Sequence, residues 1–233
     1  MKMRRNDAPF ENVLLDLWRE LPHDLKVGRA KSAHAIEILK RWGIPLGVLE
    51  GIVSAVGAFA IAEFAARDYA TAHWAWAVPD EAAIQTLVEH SPIVEIGAGT
   101  GYWARLAAEA GADIVAYDSR PPVAGRKKVV AWAEETGTYF PVRRGGPGMV
   151  RFHQDRTLFL CWPPHGHDMA IDSLRRYEGG TVLYVGEYGG CTGNNSFHEA
   201  LEQDWALARV VPIPQWHCFH DRMFILKRKG QST

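Results

Sequence analysis

The chain has 233 residues, of which 47% are hydrophobic and 23% charged. That is the make-up of a folded globular protein with one core and an appended subdomain, and it excludes disordered and fibrous classes. Twenty-six basic residues against 27 acidic ones lack the excess that binding to a phosphate backbone leaves, so no nucleic-acid partner is expected, and Lys127-Lys128 and Arg143-Arg144 read as solvated surface. The three cysteines, Cys161, Cys191 and Cys218, show no C-x-x-C and no zinc spacing with histidines, which predicts no metal site and a reducing, cytoplasmic setting.

The basic start Met1 to Arg5 runs into Asn6-Asp7-Ala8-Pro9 rather than an apolar segment, so no signal peptide is expected. Helical patterning follows over Pro9 to Leu21, over His23 to Trp42 with Gly43 as its stop, and over Pro45 to Asp68 with proline in the first turn. The uncharged run Gly51 to Ala62 lies between Glu50 and Glu63. It is too short to span a bilayer and reads as a buried helix, with no membrane partner expected. Residues 1–80 are therefore expected to form a helical N-terminal subdomain, either a closing element over a reactive site or a packing and homodimerisation element. Residues 81–233 would form the second domain. In the aromatic stretch Tyr69 to Pro79, the alternation of Trp74 and Trp76 predicts an extended segment with both rings on one side.

The β-branched run Ile93 to Ile96 predicts a strand, Tyr102 to Ala110 a helix, and Gly97-Ala98-Gly99-Thr100-Gly101 the turn between them. In a dinucleotide-binding G-x-G-x-x-G turn, the helix N-terminus receives a pyrophosphate. Here the third glycine comes one residue early. Glu95 at the strand end would repel a pyrophosphate and suits the ammonium of a methionine moiety. The next strand, Ala112 to Tyr117, delivers Asp118, about 20 residues past the turn, where a carboxylate accepts hydrogen bonds from both hydroxyls of a ribose. The ligand these features point to is S-adenosylmethionine.

Beyond Pro121-Pro122, the pattern predicts a helix from Lys127 to Glu135, a third strand at Tyr139 to Val142, and a loop at Gly145 to Gly148. It continues with strand four at Thr157 to Cys161, a helix from Met169 to Tyr177, and strand five at Thr181 to Val185. A helix from Ser196 to Gln203, an extended segment from Ala206 to Val211, a turn region from Pro212 to Asp221 and a strand from Arg222 to Lys227 close the chain. Strands alternating with helices imply a parallel α/β sheet.

The string E-I-G-A-G-T-G with Asp118 resembles the class I S-adenosylmethionine-dependent methyltransferases over residues 90 to 227. The further strings H-W-A-W-A-V-P, L-C-W-P-P, Y-V-G-E and H-D-R-M-F-I resemble a set of methyltransferase-like proteins without an assigned reaction. The resemblance implies a Rossmann-like sheet of seven strands, the last antiparallel, with S-adenosylmethionine as cofactor. Glu95, Gly97, Ala98, Gly99, Gly101, Tyr102, Asp118, Ser119, Trp162 and Pro163 would hold that cofactor.

The segment Cys161 to Asp168 stands where amine-methylating relatives carry Asp, Asn or Ser, then Pro-Pro and an aromatic. Trp162 takes the polar position and His165 the aromatic one, which argues against transfer to a nucleic-acid amine. Trp162 either faces the sulfonium through a cation–π contact or belongs to the core. Ligands of such sheets sit beyond the carboxyl ends of the strands, which makes Trp74, Trp76, Tyr139, Pro164 and Tyr188 candidate walls of a substrate pocket. Glu187 is a candidate to bind a substrate amine, and His165 or His167 to take a proton. The leading reading is methyl transfer to a small-molecule acceptor. The alternatives are intramolecular cyclisation of the cofactor, as in azetidine-2-carboxylate synthases that resemble this chain in outline, and a non-catalytic cofactor-binding protein.

Overall fold

Strand residues of this chain alternate between two apolar layers, and that alternation organises the molecule. The computed structural model describes residues 11–21, 61–124 and 137–230, with the side chains of 61–66 set aside. Helix α1 is Val13–Glu20, α2 Ile61–His73 and α3 Glu81–Glu89. Strand β1 is Ile93–Ile96, followed by α4 at Tyr102–Glu109, β2 at Ile114–Asp118 and β3 at Val142–Arg144. After a 3-10 helix at Pro147–Phe152 come β4 at Thr157–Cys161, α5 at Met169–Arg176, β5 at Thr181–Gly186, α6 at Asn195–Asp204, β6 at Trp205–Pro212 and β7 at Arg222–Arg228.

The seven strands form one sheet in the order β3-β2-β1-β4-β5-β7-β6. Strands β1 to β5 pair in parallel, and β7 runs antiparallel to both β5 and β6. This is the Rossmann-like α/β sheet of seven strands expected from the sequence, with its antiparallel closing strand. Ile93, Phe159, Leu183 and Ile225 pack on one face with α1, α3 and α4. Their neighbours Val94, Leu158, Val182 and Phe224 pack on the other with α5 and α6, as a two-residue period in a sheet covered on both sides requires. Among the described residues, no helix is long and apolar enough to cross a membrane.

The described part of the N-terminal region is built into the first of these cores. Leu14, Leu15 and Leu21 are buried with Tyr102 and Trp103. Tyr102 donates its hydroxyl to Asn12 Oδ1 at 3.1 Å and accepts from the Leu14 amide at 3.1 Å, while Asn12 Nδ2 donates to the Pro79 carbonyl at 2.7 Å. The helix read from Pro9 to Leu21 is Val13–Glu20 within the described residues, with Asn12 as its N-cap. The helix read as ending at Asp68 continues to His73. The stretches 23–42 and 127–135, and 51–62 apart from its last two residues, lie outside the described residues.

Three local readings are corrected. The third strand is Val142–Arg144 rather than Tyr139 to Val142, because the Tyr139 amide turns to the Thr100 carbonyl at 2.8 Å and its ring packs edge-on against Tyr102. The stretch read as a loop from Gly145 becomes a 3-10 helix at Pro147, where proline fits the first turn. Trp74 and Trp76 lie in a turn after α2 rather than in an extended segment, because the Thr100 hydroxyl donates to the Trp74 carbonyl and pins the chain there.

Gly101 illustrates how tightly the turn after β1 is made. It caps α4 at φ +70°, and a Cβ there would stand 2.7 Å from Val142 Cγ2 and 3.0 Å from Phe140 Cβ. Left-handed strain and overpacking together put the expected cost of Gly101→Ala at about 2–4 kcal/mol. Thermal unfolding should therefore show a midpoint lower by at least about 4 °C. A change of less than one degree would contradict this account of the turn.

Candidate active site

At the carboxyl ends of β1, β2 and β4 the chain encloses a cavity of about 590 Å³, within the range of about 300–1,000 Å³ usual for small-molecule sites. The turn after β1 forms its floor. The Gly97 and Ala98 amides donate to the Tyr117 carbonyl at 2.8 and 3.0 Å, and the Gly99 amide donates to Asp118 Oδ2 at 2.9 Å. Gly99 holds φ +53°, yet a Cβ built on it would meet nothing within 4 Å. The open space beyond Gly99 is a cradle in which a ligand can approach the main chain. Asp118 is held from its other side by the Arg120 amide, 2.7 Å from Oδ1. Both carboxylate oxygens are thereby aimed, and each keeps a lone pair for a further donor.

Glu95 supplies the second anchor. It lines the cavity, is 1% exposed, and its Oε2 is buried without a hydrogen-bond partner. Burial, with the negative field of Asp118 added, pushes its carboxyl from the ordinary 4.5 up to about 8. A cation placed against it restores the charged form, so this position suits an ammonium group. Cys161, also lining the cavity, is held as a neutral thiol, its pKa raised by burial and by Glu95 and Asp221.

Trp162 forms the wall beyond β4, and its backbone is strained to place it there. Its φ is +51°, a region that bulky residues rarely occupy and that persists only when the surroundings enforce it. Two bonds do so: the Trp162 amide donates to the Val185 carbonyl at 2.8 Å, and the indole Nε1 donates to Asp221 Oδ1 at 2.8 Å. The ring stacks on Trp76, with centroids 5.3 Å apart and planes 17° apart. Trp162 both lines the cavity and packs against the first core.

The cavity gathers most of the residues read as cofactor or substrate contacts. Glu95, Gly97, Ala98, Gly99, Tyr102, Asp118, Ser119 and Trp162 line it, as do Trp74, Trp76 and Pro164. Six others do not. Gly101 serves the turn and helix cap described above. Pro163 is buried, its carbonyl accepting from the Gly193 amide at 2.9 Å. Tyr139 packs behind Tyr102, and Tyr188 packs outside the cavity against Phe224 and His198. His165 is exposed on the loop after β4, while His167 reaches the cavity wall.

Glu187, read as a group for a substrate amine, is committed to the protein itself. Its Oε1 accepts from the His220 amide at 2.7 Å and its Oε2 from the Cys191 amide at 3.1 Å. Burial works to raise its pKa, but these backbone donors outweigh it and hold the carboxylate below its ordinary value. It ties the loop after β5 to the loop before β7.

Several residues of the site carried no reading from the sequence. Gly145, Gly146 and Pro147 close the cavity beside Asp118, and Met169 and Asp172 of α5 close it from the second layer. The Gly-Gly-Pro signal after β3 was visible only as a loop. Arg67, over the Trp162 ring, and Asp221, bonded to its indole, had no local signal. Asp221 is fully buried, and burial, opposed by the Trp162 bond, raises its carboxyl from 3.8 to about 7.

No family model and no curated protein matches this chain. Among solved structures, TrmN from Thermus thermophilus is similar at 15% identity with a TM-score of 0.36, over 63% of this chain and 47% of that one. The chain thus spans about half the length of that protein.

Proposed function

We propose that this protein is an S-adenosylmethionine-dependent enzyme that transfers a methyl group to a small-molecule acceptor in the cytoplasm. The observation that carries the reading is the pairing of two carboxylates across one cavity. Asp118 is aimed by two backbone amides and suits a ribose diol, and Glu95 has a buried, unpartnered oxygen that suits a methionine ammonium. Gly99 leaves room for the nucleoside between them. Trp162 and Trp76, stacked on one another, both line the cavity, and aromatic rings are the surface toward which a sulfonium is drawn.

In this reading the chain contributes by holding and aligning rather than by acid–base chemistry. The transferred methyl group leaves sulfur for the acceptor's lone pair, and proximity and in-line orientation supply the acceleration. An acceptor that arrives neutral loses its proton to solvent afterwards and needs no protein base. His167 reaches the cavity wall, where it accepts the Met169 amide through Nδ1 at 3.1 Å. A homodimer through the N-terminal region, and three free cysteines suited to a reducing compartment, complete the proposal.

The test is incubation of the purified protein with S-adenosylmethionine, first alone and then across a panel of small amines, phenols and carboxylic acids. Acceptor-dependent S-adenosylhomocysteine is the expected product. Methylthioadenosine formed above background without acceptor would replace methyl transfer by cyclisation, in which the cofactor's amine attacks its own γ-carbon and the sulfur departs with the bonding electrons. Tight binding without either product would leave a non-catalytic binder.

A further inference from the structure

We propose that Arg67 is the anchor of a carboxylate-binding subsite beside Trp162, an inference that rests on the cofactor reading above. Arg67 belongs to α2, one helical turn before Thr71, which lines the cavity. Its guanidinium carbon lies 3.8 Å from the ring centroid of Phe219, 4.8 Å from that of Trp162 and 5.1 Å from that of Trp76. The last two rings are cavity walls. The residue is only 6% exposed, and its Nε and Nη2 are buried without hydrogen-bond partners.

Those two nitrogens donate along one edge of the guanidinium plane. Arginine uses that edge to grip both oxygens of a carboxylate at once, while its faces stack on aromatic rings. Here three rings surround the guanidinium carbon, and the two nitrogens of that edge have no partner. A buried cation with two orphaned donors is costly to maintain, and a carboxylate gripped by both would satisfy them.

The acids around Arg67 do not fill that role. Asp221, Asp68 and Glu187 are the carboxylates whose fields reach it, yet none stands in an ion pair with it among the described residues. Glu187 spends both oxygens on the His220 and Cys191 amides, and Asp221 spends Oδ1 on the Trp162 indole. Asp221 Oδ2 also lacks a partner. These charges make the subsite selective for a group that brings two oxygens in the plane of the fork, since a lone halide-like anion would feel the carboxylates without gaining the second bond. The carboxylate belongs either to the methyl acceptor or to the cofactor's own amino-acid end.

Two titrations test the inference and separate the sources. In the first, benzoate and benzamide are titrated against the intact protein, with and without saturating S-adenosylhomocysteine, and followed by tryptophan fluorescence. Benzoate is expected to bind at least tenfold tighter than benzamide, with the preference lost in Arg67→Met and reduced in Arg67→Lys, if the acceptor carries the carboxylate. In the second, S-adenosylhomocysteine and methylthioadenosine are titrated into wild type and both variants. A tenfold or larger loss confined to S-adenosylhomocysteine assigns the carboxylate to the cofactor.

Equal binding of benzoate and benzamide to wild type, together with unchanged S-adenosylhomocysteine affinity in the variants, overturns the inference. Should neither variant fold, two wild-type comparisons decide: a tenfold preference for benzoate over benzamide, or for S-adenosylhomocysteine over its decarboxylated form, supports the subsite, and the absence of both rejects it. Failure of wild type to bind S-adenosylhomocysteine, by contrast, sinks the cofactor reading and leaves the benzoate result to judge Arg67.

Discussion

Asp118→Ala is expected to weaken S-adenosylmethionine binding by a hundredfold or more. The carboxylate at the end of β2 accepts the Gly99 and Arg120 amides at 2.9 and 2.7 Å and leaves lone pairs directed at the cavity. Two charge-assisted hydrogen bonds to a ribose contribute about 1.5–3 kcal/mol each, and 1.4 kcal/mol corresponds to a factor of ten. Alanine removes both, and it also releases the turn whose Gly99 amide the carboxylate holds. Asp118→Asn keeps one acceptor oxygen and should lose about tenfold. Both variants should keep the far-UV spectrum of the wild type, because Asp118 sits at the sheet's rim and not in either core. An affinity for S-adenosylmethionine within threefold of wild type in Asp118→Ala would remove the ribose assignment.

Glu95→Gln is expected to make the empty protein more stable and the cofactor complex weaker. The carboxyl ordinarily titrates at 4.5 and in the folded, empty site at about 8. Below pH 4.5 it is protonated folded or unfolded and has no effect. As pH rises from 4.5 to 8 the unfolded chain gives up the proton while the folded one retains it. Stability therefore falls across that window and levels off above it. Glutamine removes this penalty, so its advantage over wild type should open between pH 4.5 and 8 and reach about 2–4 kcal/mol at pH 9. Melting curves at pH 4.5 and 9 read the difference.

Binding moves the other way. With a cofactor ammonium against it, Glu95 ionises, so the wild type should release close to one proton on binding at pH 7, and its affinity should climb with pH up to about 8. The glutamine variant should bind at least tenfold more weakly and with no proton release. Calorimetry in two buffers of different ionisation enthalpy separates these outcomes. A lower melting point at pH 9 for the variant, or proton-neutral binding by the wild type, contradicts the role assigned to Glu95.

The parts of this fold that were legible in the sequence are those set by local periodicity. Runs such as Thr157–Cys161 and Thr181–Gly186 carry apolar residues toward both faces of the sheet, and both were recognisable as buried strands. The Gly97-to-Gly101 turn and Asp118 were legible because each sits at a strand end, where a short motif reports its own backbone conformation. Tyr139 and Phe140 misled because aromatic residues favour strands in general, whereas here the Tyr139 amide is claimed by Thr100.

Glu187 misled for a longer-range reason. Its position after β5 suggested a ligand group, but the two amides that occupy it come from Cys191 and from His220, the second delivered by the chain's return at β7. Arg67 was invisible for the same kind of reason. Nothing in Ala65-Ala66-Arg67-Asp68 marks it, and its meaning arises only when α2 lays it over rings from the turn after α2, from the end of β4 and from the segment before β7.

The most direct test of the account is a calorimetric titration of the wild-type protein with S-adenosylmethionine, S-adenosylhomocysteine and NAD at pH 7. The account requires single-site binding of both adenosyl compounds, release of close to one proton with each, and no heat from NAD, which brings no ammonium group to Glu95. Heat with NAD and none with either adenosyl compound would contradict it.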